Sequence, residues 1–447
     1  MPATSLLYRA ALAAGRAALP LVSFFDPKLR RGYRGRQEVL NRLGRWAATG
    51  RDPSRPLVWI HASSVGEGRQ AETVVRRLRA RHPDWQLAYT FFSPSAESLA
   101  ASLPVDVADY LPWDLPRAVE RALDALRPQS LVFTKLDLWP ELATRAARRG
   151  APVALIAATV RPGSRRLGWP ARWLLRPGYR VLEAVAAIAQ EDAERLHILG
   201  ARANRIRVLG DPRFDSVRDR VLAVAPDDPL LRFGRGAPTM VAGSTWPGDE
   251  AVVLGAFARL HVHRPDARLI LVPHEPSEQN LSHAERLAAA VGLPAPVRLS
   301  RASGPVPLLL VDQTGLLPTL YGAGTMAYVG GAYHRAGLHS VLEPAAWERP
   351  VAFGPRWQQS RDAGLLLQNG AAEALPELGT GESVETLQKL WDDWMRKPAR
   401  LAAQGRRAGE VVRRGLGAAD QTTAMVEDMM RDAGGTPAGR AGAGIQG

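Results

Sequence analysis

Hydrophobic and polar positions alternate in blocks along most of the chain. Residues 57–60 form a short apolar run with branched and aromatic side chains, the composition of a buried strand. The run breaks into the small residues Ala62, Ser63, Ser64 and Gly66. A basic segment follows at 69–81, with Val74, Val75 and Leu78 at helical spacing. The same order then recurs. Residues 86–92, 105–111, 130–134 and 152–157 read as strands, and helical segments such as 116–126 separate them. This alternation predicts an α/β protein with a doubly wound parallel sheet.

Between 215 and 238 the chain turns rich in Pro, Gly and Asp, which suits a linker. The strand–turn–helix pattern then starts again. Residues 239–242, 268–272, 308–312 and 326–329 read as strands, and a small-residue turn from Gly243 to Glu250 leads into a helix at 251–260. Long helical periodicity occupies 384–430, and 434–447 has the Gly, Ala and Pro content of a disordered tail. The expected organisation is an N-terminal segment and basic arm (1–50), two Rossmann-like domains (51–220 and 221–433) and the tail (434–447).

The length of 447 residues suits two domains that each bury a sizeable core. The chain has no Cys, which rules out disulfides, thiolate metal ligands and a Cys nucleophile. Its 58 Lys and Arg against 44 Asp and Glu give a net charge of +14. That excess suits nucleic acid, an anionic membrane or phosphorylated substrates. The N-terminus narrows the choice. Residues 6–25 are rich in Leu, Ala and Phe but interrupted by Arg9, Arg16 and Pro20, a marginal membrane span. Arg9 and Arg16, seven apart, share a helical face, as in a helix lying in the bilayer interface. No small-residue cleavage site follows, which argues against a removed signal peptide. Lys28, Arg30, Arg31, Arg34, Arg36, Arg42 and Arg45 come next, with Tyr33 and Trp46 among them. Such a cluster is drawn to anionic lipid by about 1 kcal/mol per residue; an ordinary solvated basic helix is the alternative.

Candidate chemistry sits at the turns. Glu67 is the carboxylate at the turn after the first strand, where open parallel sheets bind ligands. It is either a helix-start residue favoured by the dipole or a general base for a hydroxyl nucleophile. Ser244, Thr245 and the helix start behind them either cap the helix or donate to a phosphate. His274 and Glu275, after a strand ending at Pro273, are either polar surface or site residues. The His residues show no paired zinc spacing, so no metal site is expected. No Gly-x-x-x-x-Gly-Lys-[Ser/Thr] loop is present either.

The segment Trp59-Ile-His-Ala-Ser-Ser-Val-Gly-Glu67 resembles the Trp-x-His-x-x-Ser-x-Gly-Glu signature of bacterial 3-deoxy-D-manno-octulosonic acid (Kdo) transferases. These are membrane-associated GT-B glycosyltransferases that move Kdo from CMP-Kdo to a lipid A precursor. Tyr110-Leu-Pro-Trp-Asp114, Leu138-Trp-Pro140, Gly210-Asp-Pro-Arg-Phe-Asp215, Asp312 to Tyr321, Gly337-Leu-His-Ser-Val-Leu-Glu-Pro344 and Pro350-Val-Ala-Phe-Gly-Pro355 resemble later family segments in order. The resemblance implies an α/β GT-B fold, two Rossmann-like doubly wound domains facing across a cleft. It implies inverting transfer, with Glu67 as base and Ser64, Gly66, Ser93, Lys135 and Asp137 on the acceptor side. Around the donor it implies Gly243, Ser244, Thr245, Pro273, His274, Glu275, Gly315, Leu316, Leu317, His339, Ser340 and Glu343, the last accepting both ribose hydroxyls. The expected partners are CMP-Kdo, a lipid A precursor and an anionic membrane surface, with no cofactor and no nucleic acid. The expected location is the cytoplasmic face of the bacterial inner membrane, with a peripheral or single-pass anchor.

Besides Ser340, which stands where the family has Asn, two departures from the family pattern matter. Lys135 stands where the Glu-x-Glu-[Leu/Phe]-Trp-Pro motif begins with Glu, and Asp137 takes its second acidic place. Ala157-Ala-Thr159 replaces Asn-Ala-Arg, with Arg161, Arg165 and Arg166 close behind. Lys135 could keep Glu67 ionised or draw it into a salt bridge. A related GT-B transferase with another donor or acceptor therefore stays open, as does, from a different class, a basic nucleic-acid-binding protein.

Overall fold

The computed structural model describes residues 4–335, 337–377 and 379–434. The expected tail thus lies, beyond Gly434, outside the described residues. The chain divides into two compact units, residues 1–216 with 416–447, and residues 217–415.

The first unit is built on a seven-stranded parallel sheet: β1 (Leu57–His61), β2 (Gln86–Phe91), β3 (Val107–Tyr110), β4 (Ser130–Thr134), β5 (Val153–Ala158), β6 (Leu182–Ala187) and β7 (Ile206–Val208). The order is β3-β2-β1-β4-β5-β6-β7. The central strands β1, β2, β4 and β5 are buried at every position, because helices cover both faces. The order reverses between β1 and β4, the place where open parallel sheets bind their ligands. Register pairs His61 with both Thr90 and Phe133.

The second unit has β8 (Thr239–Thr245), β9 (Arg268–Pro273), β10 (Val297–Arg298), β11 (Leu308–Leu310), β12 (Met326–Val329), β13 (Val351–Phe353) and β14 (Ala372–Ala374). Their order is β10-β11-β9-β8-β12-β13-β14, also parallel, with the reversal between β8 and β12. Phe257, Trp391 and Trp394 fill its core beneath the sheet.

Three expectations change. The linker at 215–238 begins inside a helix, Pro212–Leu222, and continues as a 3-10 turn, Pro229–Gly234, whose Phe233 and Gly234 are buried. The periodic stretch 384–430 is three helices, Thr380–Arg396, Pro398–Arg414 and Ala418–Gly434, broken at Pro398 and at Gly417 with φ +96°. The last of them belongs to the first unit, which therefore takes in residues expected to close the second domain. Asp215 accepts from the backbone N–H groups of Gly417 (2.8 Å) and Ala419 (3.0 Å), and Met425, Val426, Met429 and Met430 enter the first core.

The N-terminus folds as α1 (Leu6–Ser23), α2 (Pro27–Gln37) and α3 (Val39–Thr49). No described helix is long and apolar enough to cross a membrane. Nor does Arg9 share an outward face with Arg16. Its guanidinium pairs with both oxygens of the buried Glu141 (3.0 and 3.1 Å), which Thr4 and Arg145 also reach, while Tyr8 donates to the buried Asp114 (2.7 Å). Burial pushes Asp114 up to about 6 even though three donors surround it. Three of the seven cations expected between Lys28 and Arg45 likewise meet side chains of the first unit. Arg36 is buried against the Phe92 ring (3.7 Å), Arg42 forks onto Asp109, and Arg31 pairs with Glu97. Besides Arg16, α1 exposes the apolar Leu6, Leu7, Leu21 and Val22, with Phe24 and Phe25 at the corner into α2.

Candidate functional site

In the first unit the loops after β1, β2 and β4 meet at the reversal point. Ser64 is the N-cap of α4 (Val65–Arg81), and Glu67 is the third residue of its first turn. Ser64 does not cap the helix; its hydroxyl donates to Glu67 Oε2 instead. Glu67 Oε1 lies 3.6 Å from Lys135 Nζ, so the salt bridge is the alternative realised. Each carboxylate oxygen keeps a further lone pair for a third group. Gly66 has open space beside its Cα, whereas a side chain at Gly68 would collide with Leu99 and the Tyr89 hydroxyl. Gly68 was not singled out from sequence, yet it is the position that lets α4 close onto its neighbours.

Lys135 ends β4 in a left-handed conformation, φ +64°, and its N–H bonds to Ile156 O at 2.7 Å. A non-glycine residue there costs on the order of 1–3 kcal/mol and is typically retained where the position matters. Ala157, one residue before the end of β5, is also left-handed, φ +49°. Asp137 accepts from His61 Nε2 (2.9 Å) and the Trp139 indole (3.1 Å), and His61 Nδ1 meets Thr90 Oγ1 (3.0 Å). Burial opposes the Asp137 charge, but the His61 and Trp139 bonds and the Arg166 charge outweigh it and hold the carboxyl below its ordinary value. Asp137 is thus a strut rather than a free base. Arg166 also donates to Leu136 O (2.6 Å), bracing the Lys135 turn. Ser93 joins through its backbone, since Phe92 and Ser93 both donate to Ser63 O. The departing Thr159 bonds to the buried Asp192, as does the N–H of Val160.

In the second unit Gly243, Ser244 and Thr245 end β8, Pro273, His274 and Glu275 end β9, and His339 follows β12. A side chain on Gly243 would collide with the Tyr321 hydroxyl and Leu317, which is why this strand end admits only glycine. Ser244 adopts φ +54°. The buried Asp249 accepts from the N–H groups of Trp246 (3.0 Å) and Gly331 (2.9 Å) and from the Tyr328 hydroxyl (2.9 Å), locking the β8 and β12 loops together. Thr245 Oγ1 donates to Glu250 (3.2 Å). Trp246, which sequence reading passed over, stacks on His334 (3.9 Å) and His274 (5.0 Å), and His274 stacks on His339 (4.4 Å). Burial, then the neighbouring His274 and His334, lowers His339 to about 4. Neutral His339 can therefore accept the Trp246 indole N–H at 3.1 Å through Nε2. Gly315 (φ +84°), Leu316 and Leu317 form the turn into the helix Leu317–Ala323. Glu343 lies in the first turn of Leu342–Ala346 and accepts from Arg220 (2.9 Å), beside Pro318. Glu275 and Ser340 are exposed.

Burial also pushes Glu250 up to about 7. A carboxyl raised in the folded state binds its proton more tightly there than in the unfolded chain. Its contribution to stability is present below about pH 4.5 and is lost as pH rises through about 7. Glu250→Gln should therefore flatten the fall in melting temperature between pH 5 and pH 8 relative to wild type. Parallel melting profiles would show that Glu250 is not the titrating group.

Residues 37–216 match the family of 3-deoxy-D-manno-octulosonic-acid transferases (kdotransferases). The 3-deoxy-D-manno-octulosonic acid transferase of Bordetella pertussis is 29% identical over 438 residues, covering 93% of this chain and 97% of that one. Its counterpart from Haemophilus influenzae is 26% identical over 328 residues, 72% of this chain and 75% of that one. Among solved structures, a UDP-GlcNAc 2-epimerase from Neisseria meningitidis superposes with TM-score 0.58 at 11% identity, covering 83% of this chain and 100% of its own. A glycosyltransferase from Rickettsia africae gives 0.57 at 10%, covering 86% and 100%. At such identities these show the fold, which is GT-B. The family match spans most of the first unit and relatives align along nearly the whole chain, which supports a glycosyltransferase similar to the Kdo transferases.

Proposed function

We propose that the protein transfers Kdo from CMP-Kdo to a hydroxyl of a lipid A precursor with inversion, and needs no cofactor beyond the donor. The observation that carries the reading is the Glu67 carboxylate at the reversal point of the first sheet, steadied by Ser64 on one oxygen and Lys135 on the other. A sugar hydroxyl is barely ionised near neutral pH and needs a base as it attacks. In the proposed step the acceptor oxygen bonds to the Kdo anomeric carbon, the bond from that carbon to the phosphate oxygen breaks, and CMP departs. Glu67 takes the proton. In the second unit, Ser244, Thr245 and the helix start behind them are suited to the departing phosphate, and Glu343 to the ribose hydroxyls. Lys135, in place of the family's acidic residue, offers a cation to an anionic acceptor.

The test is an assay of the purified enzyme with CMP-Kdo and a tetra-acylated lipid A precursor, followed by mass spectrometry. Kdo-bearing lipid and free CMP are expected in equal amounts. An enzyme that leaves CMP-Kdo untouched but consumes another nucleotide sugar would replace the donor in this reading.

The same reading puts α1 at an anionic membrane surface. Its apolar residues face outward on a helix that carries one charged residue, Arg16, beyond the docked first turn. Phe24→Ser with Phe25→Ser should weaken co-sedimentation with phosphatidylglycerol vesicles by about tenfold, the scale of one well-buried aromatic side chain. Unchanged sedimentation would remove the corner from the interface.

A further inference from the structure

Residues 160–181, between β5 and β6, carry a feature that the transfer reaction does not use. The segment holds Arg161, Arg165, Arg166, Arg172, Arg176 and Arg180, and no Asp or Glu stands between Thr159 and Leu182. It folds as a 3-10 turn, Arg165–Leu167, and the helix Ala171–Arg180. Arg166 points inward to Leu136 O, but Arg165, Arg172, Arg176 and Arg180 are exposed. Beside them stand two of the large hydrophobic residues that the fold leaves in water: Trp169 is 83% exposed and Trp173 52%.

Arginine with tryptophan and no acid is the chemistry of the headgroup layer. The indole places an apolar body in the acyl boundary and its N–H among the polar groups, while guanidinium groups meet lipid phosphates. The placement agrees. The helix Ala171–Arg180 seats Gly178 against Leu138 and Pro140, at the start of the helix Pro140–Arg148. That same helix start holds α1, through Thr4 and Arg9 on Glu141. Two apolar exposures on one unit thus flank one helix.

We propose that Trp169, Trp173 and the arginines around them form a second membrane-contacting element, which docks on the headgroups of an anionic bilayer independently of α1. The proposal extends the membrane reading above and does not depend on the identity of the donor. Two attachments on one rigid unit make the second contact intramolecular once the first has formed. Together they hold the Glu67 side of the unit at the lipid surface more tightly than α1 does alone.

The test uses the full chain, wild type against Trp169→Ser/Trp173→Ser and against Arg165→Gln/Arg172→Gln/Arg176→Gln. All five side chains are outside the core, so melting temperatures should match wild type. On phosphatidylglycerol-containing vesicles the tryptophan variant should bind at least about tenfold more weakly. The arginine variant should lose about fivefold per charge at low salt, and less as salt rises. Brominated lipids should quench wild-type tryptophan emission more than that of the double variant. CMP affinity, read by calorimetry, should be the same in all three proteins, so failure of the donor reading shows up separately. Equal vesicle binding and equal quenching in wild type and the tryptophan variant would overturn the proposal. So would light scattering that finds a wild-type dimer split by Trp169→Ser/Trp173→Ser, because the patch would then be an interface between copies of this chain.

Discussion

Glu67→Gln should lose roughly 10²–10⁴-fold in turnover, the usual scale for general acid–base catalysis. The amide keeps the size of the side chain and can still accept from Ser64 through its oxygen. What it loses is basicity and the ion pair with Lys135 at 3.6 Å. That pair is partly exposed, with Lys135 38% accessible, so its loss should cost well under about 1 kcal/mol of stability. Turnover and melting temperature should therefore part company, and CMP affinity should stay near wild type because the nucleotide contacts proposed above lie in the other unit. A variant with near-normal transfer would show that another group removes the proton. A variant that melts far below wild type would return Glu67 to a helix-start role, favoured by the dipole of α4.

The second large effect is expected at Glu343. A carboxylate that accepts two ribose hydroxyls contributes through charge-assisted hydrogen bonds, each about 1.5–3 kcal/mol. Glu343→Ala should accordingly weaken CMP binding by about 10²-fold or more in calorimetry. Arg220 complicates the cause, since it already donates to Glu343 at 2.9 Å and would lose its partner in the variant. Glu343→Gln separates the two effects: the amide retains an acceptor for ribose while the ion pair is gone. An intermediate affinity for Glu343→Gln is the expected order. Equal affinity in wild type and Glu343→Ala would take Glu343 out of the nucleotide site.

The alternation of apolar blocks with helical segments located strands 57–60, 130–134 and 326–329 almost to the residue, because a central parallel strand is buried on both faces and reads as a continuous apolar run. It did not reveal β6, whose Glu183 and Ala184 are half-buried, β7 and β10, which are short and only partly buried, or β13 and β14, each three residues long, so their sequences carry little of that signal. Of the candidate residues, those inside motifs were placed where strands end. Glu67, Lys135, Asp137 and Ser93 gather around the β1–β4 reversal, and Gly243, Leu317 and His339 around that between β8 and β12. Trp246 stood inside the Gly243–Glu250 turn without a role and His334 lay outside every quoted pattern, and only their ring-on-ring distance of 3.9 Å singles them out.

The sequence by itself determined the class of fold, the strand ends that bear chemistry and the basic, apolar character of the N-terminus, because each is written in local periodicity and composition. The tertiary structure decided what the charges are for. Arg9 looks in sequence like part of an interface helix, and Arg36 and Arg42 like members of a cationic arm, yet Glu141, the Phe92 ring and Asp109 take them into the first unit. Lys135 could in sequence either keep Glu67 ionised or pair with it, and a left-handed turn brings the two within ion-pair reach. Asp137 looked like a second acid, and His61 turns it into a strut. An ionised side chain reads the same in sequence whether it meets water, lipid or a buried partner. Which of these it meets depends on chain segments a hundred residues away, and only packing brings those together.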